Sequence, residues 1–413
     1  MDETISLDQV IESLKNDRQE MGELIEESIT SLKTLPSYNS RAIVFNELID
    51  VLLDSDMIYI AKSFGDEALA CTSHIENRVE KAKTLSRLSN TFHRHGFHQL
   101  SQEIFESVLK EIEDLDDSHR LVNLLISLIE EQLDDDLIDR GRETLDRTLP
   151  IALNLAEDSD ILVPLALLTD MKARIGDENA EAIAEKTLSL SKKIDRDDED
   201  SWVDCSLIKA FIRLDRYETA EELLKQLENK GCSDLHLMEI GIVLSEKKLF
   251  EKALDLTSKM QDDHFRFPLM RVLACDLIFE DLTEDAMKLA EDIEDDFERD
   301  LVYKELVEKS LDEENFDDAY RYLQMIENSY IDALTQKQIG LKYHKKGRQK
   351  KAIDHLLEAG QIASEIDKDS IKLEIVEGLM ELGMDDRATK IVETIETIEE
   401  KTISLVIIAA KKN

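Results

Sequence analysis

The chain has 413 residues, with 51 Lys plus Arg against 93 Asp plus Glu, a formal net charge of −42, and only 12 Gly and 4 Pro. A surface this acidic repels a phosphate backbone and argues against nucleic acid as a ligand, while 42% hydrophobic and 35% charged residues make the chain too apolar for an acidic disordered protein. So few turn formers, and no segment where apolar residues alternate as in a strand, predict an all-α protein.

In chain order, residues 5–33 read as an amphipathic helix or helix pair, part of an N-terminal cap over 1–39 that stops at Leu35-Pro36-Ser37. Apolar residues at helical spacing then place helix pairs at 40–54 with 57–75, 77–94 with 97–113, 117–133 with 136–157, and 160–175 with 178–194. Ala61, Ser101, Gly141 and Ala182 mark the second helices at steps of 40, 40 and 41, and these longer units fill 40–200. From 201 to 397 the unit shortens: Ala220, Ala253, Ala286, Ala319 and Ala352 follow one another by 33, and Ala388 comes 36 later. Tyr217, Phe250 and Phe316 each stand three residues before their alanine, and Gly241, Ala274 and Gly340 twelve before theirs. The expectation is a helix hairpin whose second helix crosses its partner small residue to small residue. A capping helix is expected over 398–413, where Ile403-Ser-Leu-Val-Ile-Ile-Ala-Ala410 is apolar on most sides; either another segment of the chain covers it or it forms a homodimer contact. Acidic joints such as Glu113 to Ser118, Asp134 to Asp136 and Asp195 to Asp200 read as solvated turns, and no linker rich in Pro, Gly or Ser separates domains.

One unit carries a family pattern. Ile339-Gly340-x-x-Tyr343-x-x-x-Gly347-x-x-x-x-Ala352-x-x-x-Leu356-x-x-Ala359 resembles the tetratricopeptide repeat. Fragments recur as Phe211 with Ala220, Gly241 with Phe250 and Ala253, Ala274 with Ala286, and Gly383 with Ala388. The family's early tryptophan position is Gln336 here, and its terminal proline position is Ser364. The resemblance covers 201–397 and thins over 40–200, where HEAT or armadillo hairpins are the structural alternative. It implies a right-handed α-α superhelix, a solenoid of about ten antiparallel helix hairpins in one continuous array, with a concave inner face that binds a protein or peptide. The function it implies is a non-enzymatic scaffold or adaptor. The alternatives are a regulatory or accessory subunit docked on a catalytic partner, or a homodimeric assembly module.

In that family the groove is lined by positions 2, 5, 9, 12 and 13 of the first helix; counted from nineteen residues before each alanine, position 5 is Arg271, Lys304 and Lys337 in successive units. This is a basic ladder in an acidic chain. Trp202 and Arg213 take positions 2 and 13 of their unit, His344 and Lys345 take positions 12 and 13 of theirs, and Lys342 to Lys351 holds six positive residues and no acid. The ligand these residues suit is an acidic segment or a C-terminal carboxylate of a partner. His93-x-His95-x-x-His98 spans Gly96, which interrupts the helix that would bring two imidazoles onto one face, so no metal is expected. No phosphate-cradling, dinucleotide-binding, nucleophile-elbow or zinc-protease motif occurs, and neither a catalytic residue nor a cofactor is expected. Cys71, Cys205, Cys232 and Cys275 lie 134, 27 and 43 residues apart, match no metal or redox spacing, and read as free thiols of a reducing compartment. With no basic leader after Met1 and no uncharged apolar run beyond eight residues, neither a secretion signal nor a membrane span is expected, and the expected location is cytoplasmic.

Overall fold

The computed structural model describes residues 6–113, 118–155, 158–194, 201–366 and 368–411, and the regular structure among them is helical throughout. The Asp195 to Asp200 joint and most of the Glu113 to Ser118 joint lie outside the described residues. The first helices are α1 (Leu7–Asp17), α2 (Gln19–Leu32), α3 (Tyr38–Asp54), α4 (Ile58–Ser73), α5 (Arg78–Arg94), α6 (His98–Glu113), α7 (Ser118–Asp134) and α8 (Ile138–Asn154). They are followed by α9 (Leu162–Arg174), α10 (Ala180–Ser191), α11 (Ser201–Arg213), α12 (Tyr217–Lys230), α13 (Asp234–Glu246), α14 (Phe250–Thr257), α15 (Asp263–Phe279) and α16 (Thr283–Glu291). The last are α17 (Asp296–Asp312), α18 (Phe316–Leu323), α19 (Ser329–Lys345), α20 (Gln349–Glu365), α21 (Asp369–Glu381), α22 (Asp385–Val392) and α23 (Ile398–Lys411). No helix is long and apolar enough to cross a membrane among the described residues.

One joint recurs. At Asp56, Gly96, Asp136, Gly176, Asp215, Lys248, Asp281, Glu314, Gly347 and Gly383 the backbone turns left-handed, with φ between 58° and 81°. In each case that residue's N–H donates to the carbonyl three back, and the following N–H donates to the carbonyl five back, as in Asp56 to Leu53 and Met57 to Leu52, or Gly347 to His344 and Arg348 to Tyr343. These paired bonds form a Schellman motif, which satisfies the last carbonyls of the first helix and points the chain back along it. The new start is often capped in the same way from unit to unit: Ser37, Asn77, Ser233, Asp262 and Asn328 each accept N–H bonds at the head of a first helix.

The chain divides into two compact units, Leu115–Leu306, and Met1–Asp114 with Val307–Asn413. In the first of these, α9, α11, α13 and α15 pack side by side in sequence order, and α7, α9, α11, α13 and α15 each pack against the helix that follows. Ile129, Leu145, Ile161, Leu165 and Leu168 are fully buried there; each such side chain contributes about 1.5–3 kcal/mol of burial. The crossing of α9 and α10 departs from the expected register. Ala182 faces solvent, and it is Ala180, packed with Ala173 and Ala210, that sits in the crossing. Gly241 also has a different neighbour: a Cβ there would stand 2.5 Å from Leu269 Cδ2, so the small residue admits α15 of the next pair, not the expected Ala253. Gly340 behaves as read, since a Cβ would lie 3.1 Å from the Ala352 carbonyl and 2.9 Å from Leu356 Cγ.

In the other unit α3 pairs with α4, α5 with α6, α19 with α20 and α21 with α22, and α3 also packs on α5 and α19 on α21. The α5–α6 crossing is held by reciprocal bonds: Ser89 Oγ donates to the Ser101 carbonyl at 2.6 Å and Ser101 Oγ to the Ser89 carbonyl at 2.7 Å. Of the two expectations for the 398–413 segment, the structure matches cover by another segment of the chain. The helix α23 lies against α21 on one side and α3 on the other, and α2 covers it. Ile403, Leu405, Val406, Ile407 and Ile408 are at most 7% exposed. The apolar surface offered for a homodimer is therefore consumed within the chain, by a helix more than 360 positions earlier.

Candidate functional site

The groove cations read from the sequence fall into two classes. Several are tied between neighbouring helices. Arg213 Nη1 donates to Asp170 on α9 and its Nη2 to Glu246 on α13 at 3.1 Å, while Lys209 reaches Glu239 at 2.9 Å and Asp170 at 3.5 Å. Arg271 Nε donates to Glu298 Oε2 at 2.6 Å. Lys337 is 8% exposed and its Nζ lies 2.7 Å from both Glu374 and Glu377 on α21. Burial alone would lower the pKa of Lys337, but bonds to the two glutamates overcome it and hold the ammonium above its ordinary value. Arg213 follows the same balance against Asp170 and Glu246. Lys304, on α17, is not free either. Lys209, Arg213, Arg271 and Lys337 staple one first helix to the next. Trp202 is half-buried and packs edge-on against His236, centroids 4.6 Å apart, as part of the α11–α13 contact.

The second class gathers where α19 turns into α20. Tyr343, 6% exposed, stacks on Phe316 at 4.6 Å and on His355 at 5.5 Å, a wall of three nearly parallel rings contributed by α18, α19 and α20. Arg348 lies 4.8 Å over the Phe316 ring, and Lys351 lies 5.0 Å over Tyr343. His355 is held neutral: burial lowers its pKa, and its Nδ1 bonds Gln336 Oε1 at 2.7 Å. Two lysines of the basic stretch are paired, Lys342 with Asp312 and Lys346 with Glu314. Lys345, Arg348, Lys350 and Lys351 make no ion pair among the described residues. His344, the other groove residue of this unit, bonds Gln349 Oε1 through Nδ1 at 2.9 Å.

The local backbone adds to this positive field. The 17-residue helix α20 starts with no side-chain cap and no acid in its first turn, so its free N–H groups and Lys350 and Lys351 face outward together. Beside them is a cavity of about 310 Å³ lined by Phe316, Asp317, Tyr320, Tyr343, Lys351, Asp354 and His355, so two carboxylates share its wall with the cation and the rings. Tyr320 is 56% exposed at its mouth. Sequence reasoning found the basic stretch, with His344 and Lys345, but missed the ring wall. The signal was present: Phe316 is the aromatic before Ala319, Tyr343 belongs to the family pattern, and His355 follows Ala352 by three.

Elsewhere the chemistry is quiet. His93 and His98 meet edge-on with ring centroids 4.6 Å apart, His95 bonds Asp50 at 2.8 Å, and among the described residues no group of three His, Cys, Asp or Glu is arranged to hold a metal. Burial pushes the Cys205 and Cys275 thiols up to about 12 and Cys232 to about 11, so none is a thiolate at neutral pH.

No protein-family model and no curated protein matches the chain. Among solved structures it is similar to Ton1535 from Thermococcus onnurineus NA1, with 13% identity and a TM-score of 0.30, over 72% of this chain and 98% of that one. It is also similar to the APC/C hetero-tetramer Cut9–Hcn1, with 15% identity and a TM-score of 0.25, over 93% of this chain and 82% of that one. At these scores neither likeness bears on what this chain does.

Proposed function

We propose that this chain is a non-enzymatic scaffold, a tetratricopeptide-like right-handed solenoid of about ten helix hairpins, that captures an acidic segment of a protein partner at the α19–α20 turn. The observation that carries this reading is the clustering of four cations, Lys345, Arg348, Lys350 and Lys351, along one turn, outside any ion pair among the described residues, in a chain of net charge −42. In so acidic a protein, cations left unpaired at one place attract carboxylates from outside, and Arg348, steadied on two rings, presents its guanidinium fork to them. Arg213, Arg271 and Lys337 serve in this reading as staples that keep the hairpins in register. The free, protonated thiols suit a reducing compartment and favour the cytoplasm.

Fluorescence polarisation of a labelled oligoglutamate peptide tests it. Binding is expected at low salt, weakening steadily as the ionic strength rises from about 0.01 M to about 1 M. An oligolysine peptide of the same length is expected to ignore this site. If neither charge of peptide binds, or both bind alike, the reading fails.

A further inference from the structure

Clefts open between successive second helices at two places, one of about 410 Å³ between α12 and α14 and one of about 310 Å³ between α18 and α20. An ion pair spans the first: Lys252 Nζ on α14 lies 2.5 Å from Glu221 Oε1 on α12. Glu221 follows Ala220 by one residue, and Lys252 precedes Ala253 by one. The same two positions in the second cleft, set by Ala319 and Ala352, hold Tyr320 and Lys351. Much of the remaining pattern carries over, with Tyr217 and Phe316 three residues before their alanines and Asp255 and Asp354 two after theirs. A tyrosine thus stands where the bridging acid would be. Lys351 is left outside any ion pair among the described residues, and the Tyr320 ring is 56% exposed at the mouth of the cleft.

We propose that the α18–α20 cleft takes an aromatic side chain of the partner, against Tyr320 and the ring wall; this rests on the reading of the adjoining turn as the seat of an acidic segment, and the ring belongs to that same segment. A cavity of about 310 Å³ lies at the small end of ligand sites and suits one side chain, not a helix. Its wall carries Phe316, Tyr343 and His355, with interplanar angles of 13° and 14° between neighbouring rings, so an entering ring finds aromatic partners. Charge decides what is turned away. The charged side chains lining the cavity are Asp317, Asp354 and Lys351, two negative and one positive, and a carboxylate placed among them would meet like charges. The segment's acids are better placed outside, on Lys345, Arg348 and Lys350. A basic side chain is drawn by the two aspartates, but the positions a cation takes over these rings are already filled, by Arg348 at 4.8 Å from the Phe316 centroid and by Lys351 at 5.0 Å from that of Tyr343. An uncharged ring meets neither objection.

Fluorescence polarisation of labelled oligoglutamate peptides carrying Phe, Ala or Lys at the centre of the run tests this on the full chain. The Phe peptide is expected to bind about three- to tenfold tighter than the Ala peptide. That ratio should persist as salt weakens both, since contact between uncharged rings is not screened. Tyr320→Ala, at an exposed position, is expected to erase the difference between the two peptides, and Tyr320→Phe, which keeps the ring, to retain it. If the Phe and Ala peptides bind alike, if the Lys peptide binds tightest, or if the gain survives Tyr320→Ala, the aromatic pocket is refuted while the acidic-segment reading stands. If no peptide binds, both fall.

Discussion

Lys248 holds a φ of 59° in the joint between α13 and α14, a conformation that most L-residues adopt at a cost of about 1–2 kcal/mol. Replacing it by glycine removes that cost and sacrifices only the exposed pair with Glu280, which is worth little. Lys248→Gly is therefore expected to raise stability by about 0.5–1 kcal/mol, and Gly347→Ala, at the equivalent joint, to lower it by about 1–2 kcal/mol, as read from denaturant midpoints. The same positions explain what the sequence revealed and what it hid. In the six later units the alanine stands five residues after the left-handed residue, as in Asp215 with Ala220 and Gly383 with Ala388, so the spacing of 33 follows the joints. The joints themselves could not be read from glycine, because six of the ten described here are Asp, Lys or Glu. Asp369 shows a further use of an acid. Its carboxylate accepts Lys372 Nζ and the N–H groups of Glu396 and Thr397, each at 2.8 Å, and these bonds outweigh burial and hold its pKa below the usual range. A depressed carboxylate stabilises the fold above its unfolded pKa and loses that contribution as pH falls through the folded value. Asp369→Asn is expected to cost roughly 1–3 kcal/mol at neutral pH, with the gap from wild type closing below about pH 4.

Between elements, the staples decide which helices hold together. Arg213 joins α11 to both α9 and α13, and Asp170, its main partner, is 8% exposed. Arg213→Ala leaves Asp170 with Lys209 alone, and the loss of one partner from a buried ion pair costs about 3–5 kcal/mol. The expected outcome is a drop of that order in unfolding free energy with helicity by circular dichroism unchanged at low temperature. Helix positions were legible in the sequence to within a few residues, since apolar spacing records which face is buried: α5 and α6 at 78–94 and 98–113 answer the expected 77–94 and 97–113. Side-chain partners were not. At the α9–α10 joint the second helix starts at Ala180, four residues after the left-handed Gly176, whereas α4, α8 and α12 start two after theirs, and Ala180 takes the place where Ala182 was expected. Whether a groove cation is stapled depends on acids 27 to 43 positions away, such as Glu298 for Arg271 or Asp170 for Arg213, and no local pattern records that pairing.

For the whole molecule, the packing of α2 on α23 joins segments that no sequence periodicity links, and it makes their stabilities interdependent. Removing residues 396–411 bares the faces of α2, α3 and α21 that α23 covers. Limited proteolysis of that variant is expected to cut within 6–37 and 369–392 while residues 201–306 resist; resistance throughout would mean that α23 adds nothing to its cradle. The division of the cations, Lys345, Arg348, Lys350 and Lys351 outside any ion pair among the described residues and Arg213, Arg271 and Lys337 tied into staples, is the central claim. Its most direct test is oligoglutamate affinity by fluorescence polarisation in three proteins: wild type, the double variant Lys345→Glu with Lys350→Glu, and Arg271→Gln. The prediction is a loss of about tenfold or more in the double variant, near 1.4 kcal/mol, and no more than about twofold in Arg271→Gln. Equal losses in both variants, or none in the double variant, would contradict it.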